Sequence, residues 1–244
     1  MMRFVGKTAL ITGAAQGSGR MIARTIAREG GNVALVDVNE EKLLALQAEL
    51  QAAGYGASIH VCDVSREDDV KRTAAQALDK WGRIDILINN AGIWRCDQGP
   101  FIRSERAGWE KKIGVNILGV MQFCREIVPG MVEQGYGRVV NIGSVAGVYG
   151  KSNMVDYCMT KGAVSSFSLA LAKEVAPYGV TVNTVSPGNI NNFEDPNVNY
   201  EHLSFLNRSG TTQECANVVC FLASDDASYV CGQNYLVDGC RKSM

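Results

Sequence analysis

The sequence predicts an α/β protein with a doubly wound (Rossmann) parallel sheet of seven strands in a single domain. Three observations support this. Short β-rich runs alternate with amphipathic helical stretches, which indicates repeated strand–helix–strand units and hence a parallel sheet. Runs such as ALIT and VVNI are apolar on both faces, as in strands that helices cover on both sides. No Pro/Gly/Ser-rich linker divides the 244 residues, so 1–244 is expected to be one dinucleotide-binding and catalytic domain.

The strands are predicted at 8–12, 32–36, 58–61, 84–88, 138–142, 181–185 and 235–237. The main helices between them are predicted at 20–28, 40–53, 67–80, 108–128 and 157–176. The stretch 189–208 interrupts this alternation of strands and helices, because it is rich in asparagine and shows weak periodicity. An irregular segment after a strand is a common place for a substrate-binding loop, here the region 189–210. A disordered surface loop without a role in binding is an equally good interpretation of this stretch.

Composition excludes several classes of function. A formal net charge of −1 argues against a large interface with nucleic acid or anionic lipid. The N-terminus lacks the shape of a signal peptide, and no apolar run is long enough to span a bilayer, so we expect a cytoplasmic protein. The eight cysteines form no CxxC pair, and the two histidines stand apart. We therefore expect reduced, mostly buried cysteines and no metal site.

A glycine-rich turn follows the first predicted strand. It reads Gly13-Ala14-Ala15-Gln16-Gly17-Ser18-Gly19, and a helical pattern begins at once. Glycines allow a sharp turn and a close approach of the backbone to a pyrophosphate, which the positive end of the helix then binds. Any tight turn between a strand and a helix can use glycine, so the cluster alone is weak support.

An acidic residue strengthens the interpretation of that turn. Asp37 ends the second strand, 18 residues after Gly19. A carboxylate there accepts hydrogen bonds from both hydroxyls of an adenosine ribose and repels a 2′-phosphate. Neither Gln16 nor Val38 brings the positive charge that NADP favours, so the sequence predicts NAD as the cofactor. Asp63, after the third strand, is predicted to contact the adenine or, nearly as readily, to cap the strand end.

Three polar residues form a candidate catalytic group. Tyr157 and Lys161 are four residues apart on one face of a predicted helix. An ammonium beside a phenol lowers the pKa of the phenol, which suits an acid/base role. Most tyrosine–lysine pairs at this spacing are surface pairs without a role. Ser144 improves the interpretation, because it follows the fifth strand at the carboxyl end of the sheet, where such folds bind ligands.

Together these motifs resemble the classical short-chain dehydrogenase/reductase family, over about three-quarters of the chain. They occur in the order of that family: TGAAQGSG at 12–19, Asp63-Val64, NNAG at 89–92, Asn116, Ser144, Tyr157 with Lys161, and Pro187-Gly188. The resemblance implies an oxidoreductase that interconverts a secondary alcohol and a ketone, usually as a homotetramer built on the helices at 108–128 and 157–176.

The resemblance also implies roles for individual residues. Tyr157 is the expected acid/base, Ser144 polarises the substrate oxygen, and Lys161 lowers the pKa of the tyrosine and binds the nicotinamide ribose. Asn116 holds a water in a proton relay, although a mid-helix asparagine more often faces solvent. The remaining cofactor-binding residues expected are Gly13, Gln16, Gly17, Ser18, Gly19, Asp37, Asp63, Val64, Asn90, Ala91, Gly92, Pro187, Gly188 and Ile190.

The sequence departs from the family pattern at three positions. Ser18 replaces an apolar residue, and Cys240 replaces the last glycine of a terminal Asp-Gly-Gly. Asn192 stands near the usual threonine that contacts the nicotinamide carboxamide, which leaves that contact open.

Substrate specificity is expected to come from residues after the strands, in a partly apolar pocket. A 3-oxoacyl-acyl-carrier-protein reductase of the same family is the nearest alternative function, although Asp37 argues against its usual NADPH. A catalytically silent dinucleotide-binding sensor or scaffold is the alternative from another class. The candidate substrate-binding residues are Trp94, Ser144, Tyr149, Met154, Tyr157 and Asn189. Further candidates in the same loops are Arg95, Val145 and Phe193.

Overall fold

The computed structural model describes residues 2–94, 99–191 and 201–242, without the side chain of Glu201. The strands are β1 (Thr8–Thr12), β2 (Asn32–Asp37), β3 (Ala57–Val61), β4 (Ile86–Asn89), β5 (Gly137–Ile142), β6 (Val180–Pro187), β7 (Ile190–Asn191), β8 (Gly210–Thr211) and β9 (Asn234–Val237). The α-helices are α1 (Gly17–Arg28), α2 (Glu40–Ala52), α3 (Glu67–Trp81), α4 (Arg106–Ile113), α5 (Gly119–Gln134), α6 (Val145–Tyr149), α7 (Val155–Val175) and α8 (Thr212–Leu222).

Seven strands form one parallel sheet in the order β3-β2-β1-β4-β5-β6-β9. The predicted doubly wound sheet is therefore confirmed. The order reverses between β1 and β4, since the chain runs outward from β1 through β2 to β3 and then returns to the other side. Such a switch point opens a crevice at the carboxyl ends of the strands, where ligands bind in these folds.

Helices cover both faces of the sheet and bury two apolar layers. Neighbouring residues of β1 show the alternation: Ile11 packs on one side with α1, α2 and α8, and Leu10 packs on the other with α3, α5 and α7. Both side chains are fully buried. Each central strand therefore contributes side chains to both apolar layers. This explains why the strands are apolar on both faces and could be recognised in the sequence.

The predicted helix at 108–128 is longer in the structure and is interrupted by a π-turn. The helical segment runs from α4 to α5 through a π-helical turn at Gly114–Leu118. Gly119 permits the close packing that follows, because a Cβ there would lie 2.8 Å from Val64 Cγ2. A π-turn re-aims side chains within a helix, and such turns are frequent at functional sites.

The sequence prediction missed α6, α8 and the short β7–β8 pair. α6 has only five residues, too few for a periodic signal. β7 and β8 pair in parallel at the two ends of the expected loop region, with Ile190 opposite Gly210. The loop is therefore closed at its base. Across the described ranges, no helix is both long and apolar enough to cross a membrane.

Candidate active site

The glycine turn presents bare backbone at the switch point. Gly13 has φ 65° and Gly17 has φ 54°, values in the left-handed region that favours glycine. A Cβ on Gly19 would lie 2.1 Å from Gly13 O, so no side chain fits there. Gln16 gives the first turn of α1 no side-chain cap. The turn and the helix end therefore offer backbone N–H groups to an anion, as a pyrophosphate requires.

The NNAG segment supports this turn from the neighbouring strand. Asn90 Nδ2 donates hydrogen bonds to the carbonyl oxygens of Thr12 and Gly13, both at 3.0 Å. The N–H groups of Asn90 and Ala91 donate to Thr12 Oγ1, also at 3.0 Å. The Asn90 side chain therefore holds the glycine turn against the end of β4.

Asp37 lies beside the glycine turn, as its spacing predicted. Its Oδ2 accepts a hydrogen bond from Ala15 N at 3.1 Å, and its Oδ1 accepts one from Asn39 N at 3.0 Å. A cation that the sequence analysis missed is also present. Lys42 Nζ, from the first turn of α2, donates to Gln16 Oε1 at 2.7 Å. Neither Gln16 nor Val38 carries a positive charge, as the sequence shows, but Lys42 brings one to this turn.

Asp63, Val64 and Ser18 have structural contacts of their own. Asp63 Oδ1 accepts hydrogen bonds from Ser65 N at 3.0 Å and Ser65 Oγ at 2.6 Å, the arrangement of a strand-end cap. Val64 is buried against Gly119. The Ser18 side chain is hydrogen-bonded to the buried thiol of Cys215 in α8. That contact links α1 to α8. We therefore expect Ser18 to contact a cofactor through its backbone N–H and not through its hydroxyl.

Ser144 and Tyr157 meet at the carboxyl edge of the sheet. Ser144 is the N-cap of α6, and its Oγ accepts a hydrogen bond from Ala146 N at 3.2 Å. The Ser144 side chain is also close enough to the Tyr157 hydroxyl to influence its pKa. Burial raises the pKa of Tyr157, and the neighbouring Ser144 hydroxyl opposes that rise. The two hydroxyls therefore lie side by side, so that one substrate oxygen can contact both.

Lys161 lies under this pair, one turn further along α7. It is 4% exposed, and its Nζ donates to Ile142 O at 2.7 Å. Burial lowers the pKa of Lys161 to about 8. The expected lowering of the Tyr157 pKa by Lys161 stays a prediction. The ammonium points to the end of β5, and burial dominates the environment of the phenol.

Asn116 is fully buried in the π-turn. Its Oδ1 accepts a hydrogen bond from Ile93 N at 2.8 Å, and its Nδ2 donates to Ile93 O at 2.9 Å and to Thr160 Oγ1 at 3.1 Å. Gly92 lies between Asn116 and Lys161: a Cβ on it would be 3.4 Å from Asn116 Oδ1 and 3.2 Å from Lys161 Nζ. The interior role predicted for Asn116 therefore has a geometric basis.

Two residues near Tyr157 were not found from the sequence. Lys112, in α4, is 1% exposed, and its Nζ forms an ion pair with Asp156 Oδ2 at 2.5 Å. Asp156 directly precedes Tyr157 in α7. A lysine on an amphipathic helix is normally assigned to the solvent face, so only its pairing across two helices reveals this position.

The remaining candidates lie around the end of β6. Pro187 ends the strand, and Gly188 N donates to Val237 O at 2.9 Å. A Cβ on Gly188 would be 2.7 Å from Asp238 Cβ, so the chain passes close to β9. Asn189 Oδ1 accepts a hydrogen bond from Arg241 Nη1 at 3.1 Å.

Exposure separates the other substrate-binding candidates. Tyr149 is 54% exposed and Trp94 is 40% exposed, whereas Met154 is buried. Arg95, Asn192 and Phe193 lie outside the described residues.

The described cysteines carry free thiols, four of them buried.

Comparisons with known proteins agree with this arrangement. A family model described as "Enoyl-(Acyl carrier protein) reductase" matches residues 13–240. A 3-oxoacyl-acyl-carrier-protein reductase of Thermotoga maritima is 37% identical, with 98% of each chain covered. A glucose 1-dehydrogenase of Gluconobacter oxydans is 37% identical, covering 97% of this chain and 92% of that protein. The crystal structure of levodione reductase matches with a TM-score of 0.90 and 34% identity, covering 97% of this chain and 98% of that one.

Proposed function

The chain belongs to the short-chain dehydrogenase/reductase family of oxidoreductases, and from that premise we propose that it is an NAD-dependent enzyme interconverting a secondary alcohol and a ketone. The observation that carries the proposal is the proximity of the Ser144 and Tyr157 side chains, with the buried ammonium of Lys161 one turn further along α7. It offers a substrate oxygen one hydrogen-bond donor and one acid/base at the same point.

The residues around the switch point fit a nicotinamide dinucleotide, the cofactor class of this family. The backbone of the turn from Gly13 to Gly19 would hold the pyrophosphate, because a Cβ at Gly19 would fill the space against Gly13. Pro187, Gly188 and Ile190 would flank the nicotinamide. When bound, the nicotinamide ring supplies or accepts the hydride.

NAD rather than NADP is proposed on the position of Asp37. Its carboxylate is fixed beside the turn by Ala15 N and Asn39 N, so it cannot swing away from a ribose bound there. The remaining lone pairs of the carboxylate accept from ribose hydroxyls, and its charge repels a 2′-phosphate. Lys42 reduces this discrimination, because its ammonium is held at Gln16 nearby. We therefore expect a preference for NAD that is strong but not absolute.

The protonation states favour the ketone-reducing direction near neutral pH. Burial raises the pKa of Tyr157, so the phenol is neutral and can donate its proton to a ketone oxygen that Ser144 also contacts. In the reverse direction Tyr157 must first lose its proton. Lys161, whose pKa of about 8 allows it to lose its own proton as pH rises, is proposed to accept that proton and pass it on to solvent on the side of Asn116. Alcohol oxidation should therefore accelerate as pH rises.

The substrate would bind between Trp94, Tyr149, Met154 and Asn189, under the region 189–210. Their mixture of apolar and polar groups suits a secondary alcohol on a ring or a chain. A 3-oxoacyl-acyl-carrier-protein reductase remains the second candidate, favoured by Lys42 and by the relative of that name. The exposed apolar side chains of α5 and α7, among them Met121, Val155 and Met159, support a homotetramer. A cytoplasmic location is also part of the proposal.

Initial rates with NAD and NADP over cyclic alcohols, polyols, hydroxy acids and 3-oxoacyl thioesters test this function. Tyr157→Phe should lower kcat by about a hundredfold or more while leaving NADH binding unchanged. Tyr178→Phe, which removes an exposed hydroxyl beyond α7, is the matched control. Unchanged turnover in the Tyr157 variant would contradict the acid/base assignment. A strong preference for NADPH with 3-oxoacyl thioesters would favour the second candidate.

A further inference from the structure

The chain after β9 folds back across the end of β6. Gly239 has φ 65° and Cys240 has φ 58°, so two successive residues adopt the left-handed conformation. Cys240 N donates to Asp238 Oδ1 at 3.0 Å, which stabilises the turn. A non-glycine residue rarely adopts this conformation, so the turn is specified by its hydrogen bonds and not by backbone freedom.

Hydrogen bonds to residues 203–206 then fix the backbone of the segment. Phe205 N donates to Cys240 O at 2.9 Å, and Lys242 N donates to Leu203 O at 3.0 Å. Between them, Arg241 forms an antiparallel bridge with Ser204. Arg241 is therefore held beside Ser204 and Asn189, on the side of the sheet where the substrate is proposed to bind.

The Arg241 guanidinium is incompletely satisfied. Nη1 donates to Asn189 Oδ1 at 3.1 Å, but Nε is buried without a hydrogen-bond partner. Within the part of the chain that the structure describes, Nη2 makes no hydrogen bond and no carboxylate lies within ion-pair distance. Burial lowers the pKa of Arg241, while the nearby Asp238 and Tyr149 oppose that change. Burying a guanidinium whose N–H groups lack acceptors costs free energy of folding, unless a ligand supplies those acceptors.

The position of Arg241 connects it with the proposed catalytic pair. Asn189, which it contacts, directly follows Pro187-Gly188. Tyr149, whose phenol is close enough to influence Arg241, ends the helix that Ser144 begins. That helix rises about 7 Å over its five residues. A substrate whose carbinol carbon lies at Ser144 can therefore extend along α6 toward Arg241.

We propose that Arg241 determines substrate specificity by binding the carboxylate of a hydroxy or keto acid through Nε and Nη2, at the end of the pocket away from Tyr157. These two donors lie on one edge of the guanidinium and point in parallel, which matches the two oxygens of a carboxylate. Asn189 holds the opposite edge and so fixes the orientation. The inference rests on the proposed function, because it places the anion relative to the substrate oxygen of that reaction.

A carboxylate fits better than a phosphate ester. Arg241 contacts Asn189 and lies close enough to Tyr149 to be influenced by it, and the negative charge of Asp238 is close. A dianionic phosphate would need further positive charge there. A neutral polyol lacks the paired, charged oxygens that match Nε and Nη2.

Matched substrates test the assignment. Gluconate against sorbitol and 3-hydroxybutyrate against 2-butanol differ mainly in the carboxylate, and sorbitol 6-phosphate supplies the phosphate arm. Rates and calorimetric affinities for the enzyme–NADH complex are measured on wild type and on Arg241→Gln, which keeps an amide donor for Asn189. Arg241→Lys keeps the charge without the paired donors. Lys242→Gln is the matched control, because Lys242 is exposed and its Nζ donates to Asn207.

We expect the Gln variant to lose about tenfold or more in kcat/KM and in affinity for the acids, and less than about twofold for the neutral partners. The Lys variant should be intermediate, and the control should match wild type. Equal losses for acids and neutral alcohols would overturn the proposal, as would a preference for the phosphate ester. A change of oligomeric mass in the Gln variant would instead assign Arg241 to contact with a second copy. If no compound is oxidised, the proposed function fails, while the calorimetric preference for carboxylates still decides the role of Arg241.

Discussion

Replacing Lys161 by methionine should make the protein more stable at neutral pH while removing its activity. The ammonium of Lys161 is 4% exposed and has one backbone acceptor, Ile142 O. Its pKa falls from 10.5 to about 8 because burial disfavours the charged form. Methionine keeps the length and flexibility of the side chain without the charge. The variant therefore separates the cost of the buried charge from the packing of the stem.

The magnitude follows from the two pKa values. Below pH 8 the lysine is charged in both states, so the folded protein bears the full cost of burial, about 3 kcal/mol at pH 7. As pH rises from 8 toward 10.5, the folded protein releases a proton that the unfolded chain retains, and the cost falls to about 1 kcal/mol at pH 9.5. The variant also leaves Ile142 O without its donor, which costs about 1 kcal/mol. The expected gain for Lys161→Met is about 2 kcal/mol at pH 7 and about zero at pH 9.5.

Urea unfolding followed by circular dichroism measures this difference, at one protein concentration because subunit association also contributes to stability. Comparing variant with wild type at each pH cancels the titration of the other groups, including the buried cysteines. Lys173→Met provides the control, since Lys173 is exposed on the same helix. Its effect should be small and the same at both pH values. A stability gain for Lys161→Met that does not shrink with pH, or a loss at pH 7, would refute the account of a desolvated ammonium.

Three further variants address the cofactor site and the helix that carries Tyr157. Gly19→Ala should weaken NADH binding, measured by fluorescence titration, by about tenfold or more, because the new Cβ would lie 2.1 Å from Gly13 O. Asp37→Asn should raise kcat/KM for NADP by about tenfold or more by removing a like charge from the 2′-phosphate, and an unchanged NADP to NAD ratio would contradict the role of Asp37. Lys112→Met should lower the free energy of unfolding by about 3 kcal/mol, because it leaves the Asp156 carboxylate without the ammonium it pairs with, and adding Asp156→Asn should restore part of the loss.

The features that could be predicted from the sequence are those that depend on local pattern. The central strands were found because each is buried on both faces and therefore apolar throughout. The glycine turn and Asp37 were found because a tight strand-to-helix turn restricts residue type at fixed spacing. The structure adds that the Asp37 carboxylate is held by two backbone N–H groups, which explains why it stays beside the turn.

The features that could not be predicted depend on contacts between distant segments. Lys42 and Arg241 are ordinary surface cations by sequence, and only folding brings them to Gln16 and Asn189. The direction of the Lys161 ammonium could not be predicted for the same reason. Spacing along a helix places two residues on one face, but the direction of a flexible side chain depends on its acceptors. Here the free carbonyl at the end of β5 holds the ammonium.

Three energetically unfavourable groups lie at the carboxyl edge of the sheet. Lys161 is a desolvated cation there, Asn116 lies in a π-turn, and Arg241 Nε is buried without a partner. In a folded protein most residues are consistent with the local preferences of their strands and helices. Natural sequences depart from such consistency mainly at functional sites, since selection for stability alone would remove these groups. Lys161 and Asn116 fall on the proposed proton path, and Arg241 lies at the other end of the same pocket. The same reasoning that assigns the first two to the reaction therefore assigns the third to the substrate.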